Sequence, residues 1–315
     1  MLRYYARENG RLRELDTPEV SCWINILPPF SQEELEETAQ KFDIPLDFLI
    51  DALDVDERSR YEREGDVRLI LLNTPVLNEQ DEENDAIFIT APIGIIVTIE
   101  HVITVAAHDS PVLRLFLDDK IKNFDPADDI SFVLQIMEQN VYRFLNCLKK
   151  LNLKRNLIEQ ELYDSSRNKE LKQLLSIEKS LVYFVNALSA NELLKMKMKR
   201  SDYLHIRDDE DKGDLFEDII IDNSQALQMA NVYTNILNGT MDAYGSIISN
   251  NLNNTMRRLT LITVVLMVPT LITSFYGMNV QLPFQSQKLA AYIIIFMGVV
   301  VSVFLAWYFQ RRKFY

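Results

Sequence analysis

The stretch LTLITVVLMVPTLITSFYGMNV, residues 259–280, decides how this chain is read. Its first 18 residues, Leu259 to Tyr276, carry no charge, and at 1.5 Å per residue they can cross a hydrocarbon core of about 30 Å. The run closes on Gly277, Met278 and Asn279, small and polar groups at the depth where a spanning helix meets water. A second charge-free run, LAAYIIIFMGVVVSVFLAWYF, fills residues 289–309. The competing reading, two core helices of a soluble domain, fits poorly because two charge-free runs this long and this close are rare in soluble folds.

The flanks orient these spans. Arg257 and Arg258 precede the first, Arg311, Arg312 and Lys313 follow the second, and the loop between holds only Lys288. The positive-inside bias places both termini in the cytoplasm of a multi-pass plasma-membrane protein, with Trp307, Tyr308 and Tyr315 at the inner interface. From residue 251 onward there are six bases and no acid, whereas residues 1–250 hold all 46 acids against 27 bases. An acidic body argues against a nucleic-acid partner, which needs clustered Lys and Arg, and suits cations. The opening MLRYYARENGRLRELD has no apolar core, so no cleaved signal peptide is expected. Cys22 and Cys147 belong to no CxxC and His101, His108 and His205 show no ligand spacing, which indicates reduced structural thiols and no zinc site.

The body reads as α+β. Strand-like runs occur at residues 20–26, 66–77 and 93–107, the last a hairpin turning at Glu100 and His101. Between them SQEELEETAQKF opens with an N-cap Ser31 and acids in its first turn, and DFLIDALD continues the helical pattern. A cytoplasmic mixed sheet flanked by helices in α/β/α layers is expected over residues 1–127. From Asp128 the pattern is helical: Ile130, Leu134, Met137, Val141, Phe144, Leu148 and Leu151 form the stripe of a helix packed lengthwise on another. DSSRN (164–168) breaks it, a second helix runs to about Arg200, and SDYLHIRDDEDKGD reads as a linker ending at Gly213. This helical hairpin and linker fill residues 128–213. No proline interrupts residues 214–268, so a stalk over 214–258 continues into the first span as one helix of about 60 residues, on the order of 90 Å. The loop 277–288, the second span and a basic tail, 310–315, complete the chain.

Along this helix Asp242, Ser246, Ser249, Asn253, Met256, Thr260, Thr263, Met267, Thr270 and Ser274 recur at alternating spacings of four and three, which keeps all ten on one face. Leu261, Val264, Val265, Leu266, Val268, Leu271 and Ile272 fall elsewhere. Two readings follow: close helix packing through small residues, or the lining of a pore formed by several copies. Asp242 and Asn253 favour the pore, because their oxygens suit hard cations. Two spans per chain cannot enclose water, so a pore needs a homo-oligomer.

Tyr276, Gly277, Met278 and Asn279 at the outer end of the first of two C-terminal spans, with a tail ending RRKFY, resemble the signature of the CorA family of magnesium channels. The likeness covers the whole layout, and it implies a homopentamer whose first spans line the pore and whose Tyr276–Asn279 segments form the outer selectivity filter. It implies pore positions at Asn253, Met256, Leu259, Met267 and Thr270, Leu259 on the resemblance alone, and an acidic ring at Asp242. In EDIIIDNS it places Asp218, with Asp222 four residues on, at a regulatory magnesium site between cytoplasmic domains. The loop VQLPFQSQK departs from relatives, which commonly carry an acid there, and adds Lys288.

These features predict passive, voltage-driven magnesium uptake gated by intracellular magnesium, with divalent cations as cargo and regulator, no organic cofactor and no enzymatic activity. Magnesium keeps its waters and prefers octahedral oxygen coordination, which five Asn279 carboxamides can meet from outside the water shell. Met256, Leu259 and Met267 would form apolar collars. The partner acid of Asp218 is sought in NEQDEEND (78–85), which also reads as a solvated hairpin loop, just as Asp218 also reads as a surface acid. The alternatives are a zinc, cobalt or nickel transporter on the same scaffold, or a non-conducting membrane-tethered sensor. Soft ligands would mark the former, and no His or Cys occurs after residue 205.

Overall fold

The computed structural model describes residues 2–8, 10–78, 85–164, 168–280 and 289–311. By its contacts the chain divides into two compact units, Met1–Gly239 and Thr240–Tyr315.

In the first unit, strands β1 (Leu2–Glu8), β2 (Arg11–Leu15), β3 (Trp23–Ile26), β4 (Arg60–Glu64), β5 (Val67–Leu77), β6 (Phe88–Val97) and β7 (Val102–Ala106) form one sheet. Their order is β2-β1-β3-β7-β6-β5-β4, with β3 and β7 parallel and the other pairs antiparallel. Alternation of side chains divides the core in two. Leu69 and Leu71 of β5 pack with α1 (Gln32–Lys41) and α2 (Leu46–Asp51) on one face. Ile70 and Leu72 pack on the other, against α3 (Pro111–Leu117), α4 (Asp129–Asp164), the end of α5 (Asn168–Ser201) and the start of α6 (Glu210–Tyr276). The result is the expected mixed sheet in α/β/α layers.

Local chemistry explains the elements. Ser31 caps α1 reciprocally: its hydroxyl accepts from the Glu34 amide at 3.2 Å and the Glu34 carboxylate accepts from the Ser31 amide at 3.0 Å. Trp23, fully buried, packs edge-on against Phe116, Phe124 and Phe132, and its indole donates to Thr104 Oγ1 at 2.8 Å. The β4–β5 pairing reaches only to Arg60, the first residue of β4, opposite Leu71, which leaves Asn73 of β5 without a strand neighbour on that side. Side chains replace it. The Asn73 amide donates to Ser59 Oγ and Asn191 Oδ1, each at 3.2 Å, and its carbonyl accepts from Asn140 Nδ2 at 3.0 Å and Asn191 Nδ2 at 2.9 Å. The α4–α5 hairpin is thus bonded directly to the sheet edge.

Four expectations are corrected. The N-terminal segment, given no strand, forms the hairpin of β1 and β2. The strand expected over 20–26 begins at Trp23, and the hairpin expected over 93–107 begins earlier, at Phe88. Its turn is held by Thr98, whose hydroxyl accepts from the His101 amide at 2.9 Å. The linker is shorter than read, because Asp209 starts α6 by accepting from the Lys212 amide at 3.1 Å; Gly213 therefore lies inside the first turn, its amide donating to the Asp209 carbonyl at 2.9 Å. The second unit consists of the rest of α6 and of α7 (Ala290–Arg311). The acidic run's residues 79–84, most of the loop (281–288) with Lys288, and the tail residues 312–315 lie outside the described residues.

Candidate metal pathway

Helices α6 and α7 are each long and apolar enough to cross a membrane, and no residue in the apolar window of α6 is buried. A core helix of a soluble domain would be buried. Within this unit α7 covers one side of α6: Leu261, Val265, Val268, Pro269, Ile272 and Tyr276 are half-buried, and they share one face. The residues of the polar stripe all remain exposed, from Asp242, Ser246, Ser249 and Asn253 through Met256 and Thr260 to Thr263, Met267, Thr270 and Ser274. At about 100° per residue, Thr263 and Met267 project roughly 160° from Val265, so the stripe points away from α7. Leu259 is exposed on its flank.

Four hydroxyls along this face are committed as donors. Thr260 donates to the Met256 carbonyl, Thr263 to that of Leu259 and Thr270 to that of Leu266, each at 2.9 Å, and Ser246 donates to Asp242 at 3.1 Å. With the proton turned into the helix, each oxygen presents lone pairs to whatever lies beyond, which suits a cation or the waters around one.

At the outer end α6 stops at Tyr276. The Gly277 amide donates to Thr273 at 3.0 Å and to Ser274 at 3.2 Å, and the Met278 amide donates to Phe275 at 3.3 Å, so the chain leaves as a tightened turn. Gly277 is not in the left-handed region that glycine uniquely favours, so its use here is not an escape through positive φ. Met278 and Asn279 are exposed, whereas Tyr276 falls on the α7 side with Val265.

In the first unit Asp218 is exposed and Asp222 half-buried, one helical turn apart on α6. The Tyr142 phenol on α4 has its pKa raised by partial burial first and then by the negative fields of Glu138, Asp222 and Asp218. Sequence reasoning missed Glu138 and Tyr142, which lie on the flank of the apolar stripe of α4 and carry no motif. Among the described residues, no three His, Cys, Asp or Glu side chains are grouped to hold a metal within one chain. Cys22 and Cys147 are free and buried, and Cys22 Sγ lies 3.6 Å from His101 Nδ1 in the sheet domain.

The family model of the CorA-like Mg2+ transporter protein matches residues 18–312. The chain belongs to the CorA family. It is 27% identical to the cobalt/magnesium transport protein CorA of Methanocaldococcus jannaschii, over 96% of both chains. It superposes on the complete structure of the CorA magnesium transporter from that organism with a TM-score of 0.81, 24% identity and coverage of 100% of this chain and 99% of the other. The ZntB cytoplasmic domain of Vibrio parahaemolyticus matches with a TM-score of 0.61 at 10% identity, over 79% of this chain and 98% of that domain, a likeness of fold alone. CorA membership makes this a membrane transport protein with two C-terminal apolar helices.

Proposed function

We propose that this CorA protein forms a homopentamer in which five α6 stripes line a passive path for divalent cations, magnesium foremost. The observation that carries this reading is the uncovered, oxygen-bearing face of α6 opposite α7: one chain cannot cover it, and a ring of copies turns it inward. Hydroxyl and carboxamide oxygens would meet a hydrated ion along the bore, and Asn279 would select it at the outer end. Met256, Leu259 and Met267, exposed on or beside that face, would form its narrow apolar collars.

With both termini cytoplasmic, an inside-negative potential drives uptake. A divalent ion gains about 4.6 kcal/mol per 100 mV, twice the value for one charge. Asp218 and Asp222 would face carboxylates of the next copy, so that intracellular magnesium between them holds the stalks together and its loss releases them. Cobalt is the second cargo, favoured by the cobalt/magnesium transporter that aligns over nearly the whole chain.

The test is uptake into proteoliposomes containing a magnesium-sensitive dye, under an inside-negative potential, for wild type and Asn279→Ala. Magnesium entry abolished by the substitution supports the path and its filter. No entry of magnesium or cobalt from a folded oligomer overturns the reading.

A further inference from the structure

Pro269 lies within the apolar part of α6. Proline has no N–H, so the carbonyl four residues earlier, that of Val265, loses its helical donor. In hydrocarbon no water can replace that donor. Ser302 of α7 stands in its place: the hydroxyl lies 3.3 Å from the Val265 carbonyl oxygen and 2.9 Å from the carbonyl of Gly298, one turn back on its own helix.

The surrounding face of α7 is shaped for this contact. Ile294, Gly298, Val301, Ser302, Leu305 and Phe309 are its buried or half-buried residues, spaced as one helical face. Gly298 is the buried one, and a Cβ built on it would meet the Cα and Cβ of Pro269 at 3.6 Å. The helices therefore meet closely at the proline, as small residues allow in membranes. Proline, glycine and serine act together there: the first frees a carbonyl, the second lets the helices close and the third supplies the donor.

We infer that Ser302 is a positioning residue for the pore-lining span, its hydroxyl proton shared between the Val265 and Gly298 carbonyls so that the proline-weakened turn of α6 is held against α7. This inference rests on the reading of α6 as pore lining. Met267 and Thr270 project from the same turn on the side away from α7, so the angle of the helix at residues 265–269 sets where they point. Because the proton has two acceptors, the hold can be released to Gly298 without leaving the hydroxyl unpaired.

A double-mutant cycle on the full chain tests the pairing. Ser302→Ala should lower the melting temperature in detergent by a few degrees and maximal magnesium uptake several-fold, with the half-saturating concentration unchanged. Ser302→Thr, which keeps the hydroxyl, should restore both. Pro269→Ala returns an N–H to the Val265 carbonyl, so in that background Ser302→Ala should change neither. Equal losses in the two backgrounds, or a Ser302→Thr variant as impaired as Ser302→Ala, would overturn the inference. Absence of uptake by wild type would instead overturn the pore reading, and the melting cycle would still report whether Ser302 serves the orphaned carbonyl.

Discussion

The Lys195 amine of α5 donates to Asn223 Oδ1 of α6 at 2.7 Å, inside a seam where neither residue is exposed. Asn223 in turn donates through Nδ2 to the Leu188 carbonyl at 3.1 Å. Burial pushes the lysine pKa down to about 7, opposed by the carboxylate of Glu192 on the same helix, while α6 presents the uncharged carboxamide.

A pH dependence follows. The folded pKa lies below the unfolded value, so between pH 7 and 10.5 the unfolded chain binds more protons and stability rises with pH. Below pH 7 both states are charged and the full penalty, on the order of 5 kcal/mol, persists. Lys195→Met removes this contribution, offset by about 1–3 kcal/mol for an orphaned Asn223 oxygen. The melting temperature of the variant minus that of wild type should therefore be most positive and level below pH 7 and shrink from pH 7 toward pH 10. A difference independent of pH would show that Lys195 does not titrate in the seam.

Asn191 should be a stability hot spot. It receives the Asn73 amide and donates to the Asn73 carbonyl where the β4–β5 pairing has ended, and its Oδ1 also accepts from Ser59 Oγ at 2.7 Å. Asn191→Leu keeps the volume but leaves buried polar groups without a partner, at a cost of about 2–4 kcal/mol. Urea unfolding should show a lower midpoint with an unchanged slope, and a loss below about 0.5 kcal/mol would mean that Asn140 and Ser59 suffice.

How much of this was legible depended on whether the signal was local. The alternation of Leu69, Ile70, Leu71 and Leu72 marks a strand buried on both faces, and Ser31 followed by Glu34 announces a capped helix. The same holds for the stripe from Asp242 to Ser274, because its period is written in the chain. Strands β1, β2 and β4 were not read, since β2 and β4 are the sheet's two edge strands, β1 is the next strand in from β2, and the charges of LRYYARE, RLREL and RYERE dilute the two-residue period. Lys195 sits in KMKMK, which looks solvated; only packing of α5 on α6 buries one lysine and leaves Lys197 exposed. Ser302 was unremarkable until Val265, 37 residues away, was seen to lack a donor.

Thr263 tests whether stripe oxygens serve as acceptors. Its hydroxyl donates into the helix at 2.9 Å and leaves lone pairs facing away from α7. Thr263→Val is nearly isosteric and removes only that oxygen, so the protein should fold and assemble normally while magnesium flux falls several-fold; Thr263→Ser should retain it. Unchanged flux in Thr263→Val would favour helix packing over pore lining for this face.

Asp218 should report on feedback by intracellular magnesium. It is exposed, one turn from Asp222, and no three-carboxylate cage forms within one chain among the described residues. A site between copies then depends on each contributed charge. Asp218→Asn removes one negative charge per chain without changing the shape, and should weaken magnesium held between neighbours about tenfold, the equivalent of roughly 1.4 kcal/mol. Wild-type uptake should slow as magnesium accumulates inside the vesicles, whereas Asp218→Asn should continue to higher internal concentrations. Limited proteolysis gives the complementary reading: magnesium should protect wild-type stalks and protect those of the variant only at higher concentration. Equal protection of both would place the regulatory cation elsewhere and leave Asp218 a surface acid.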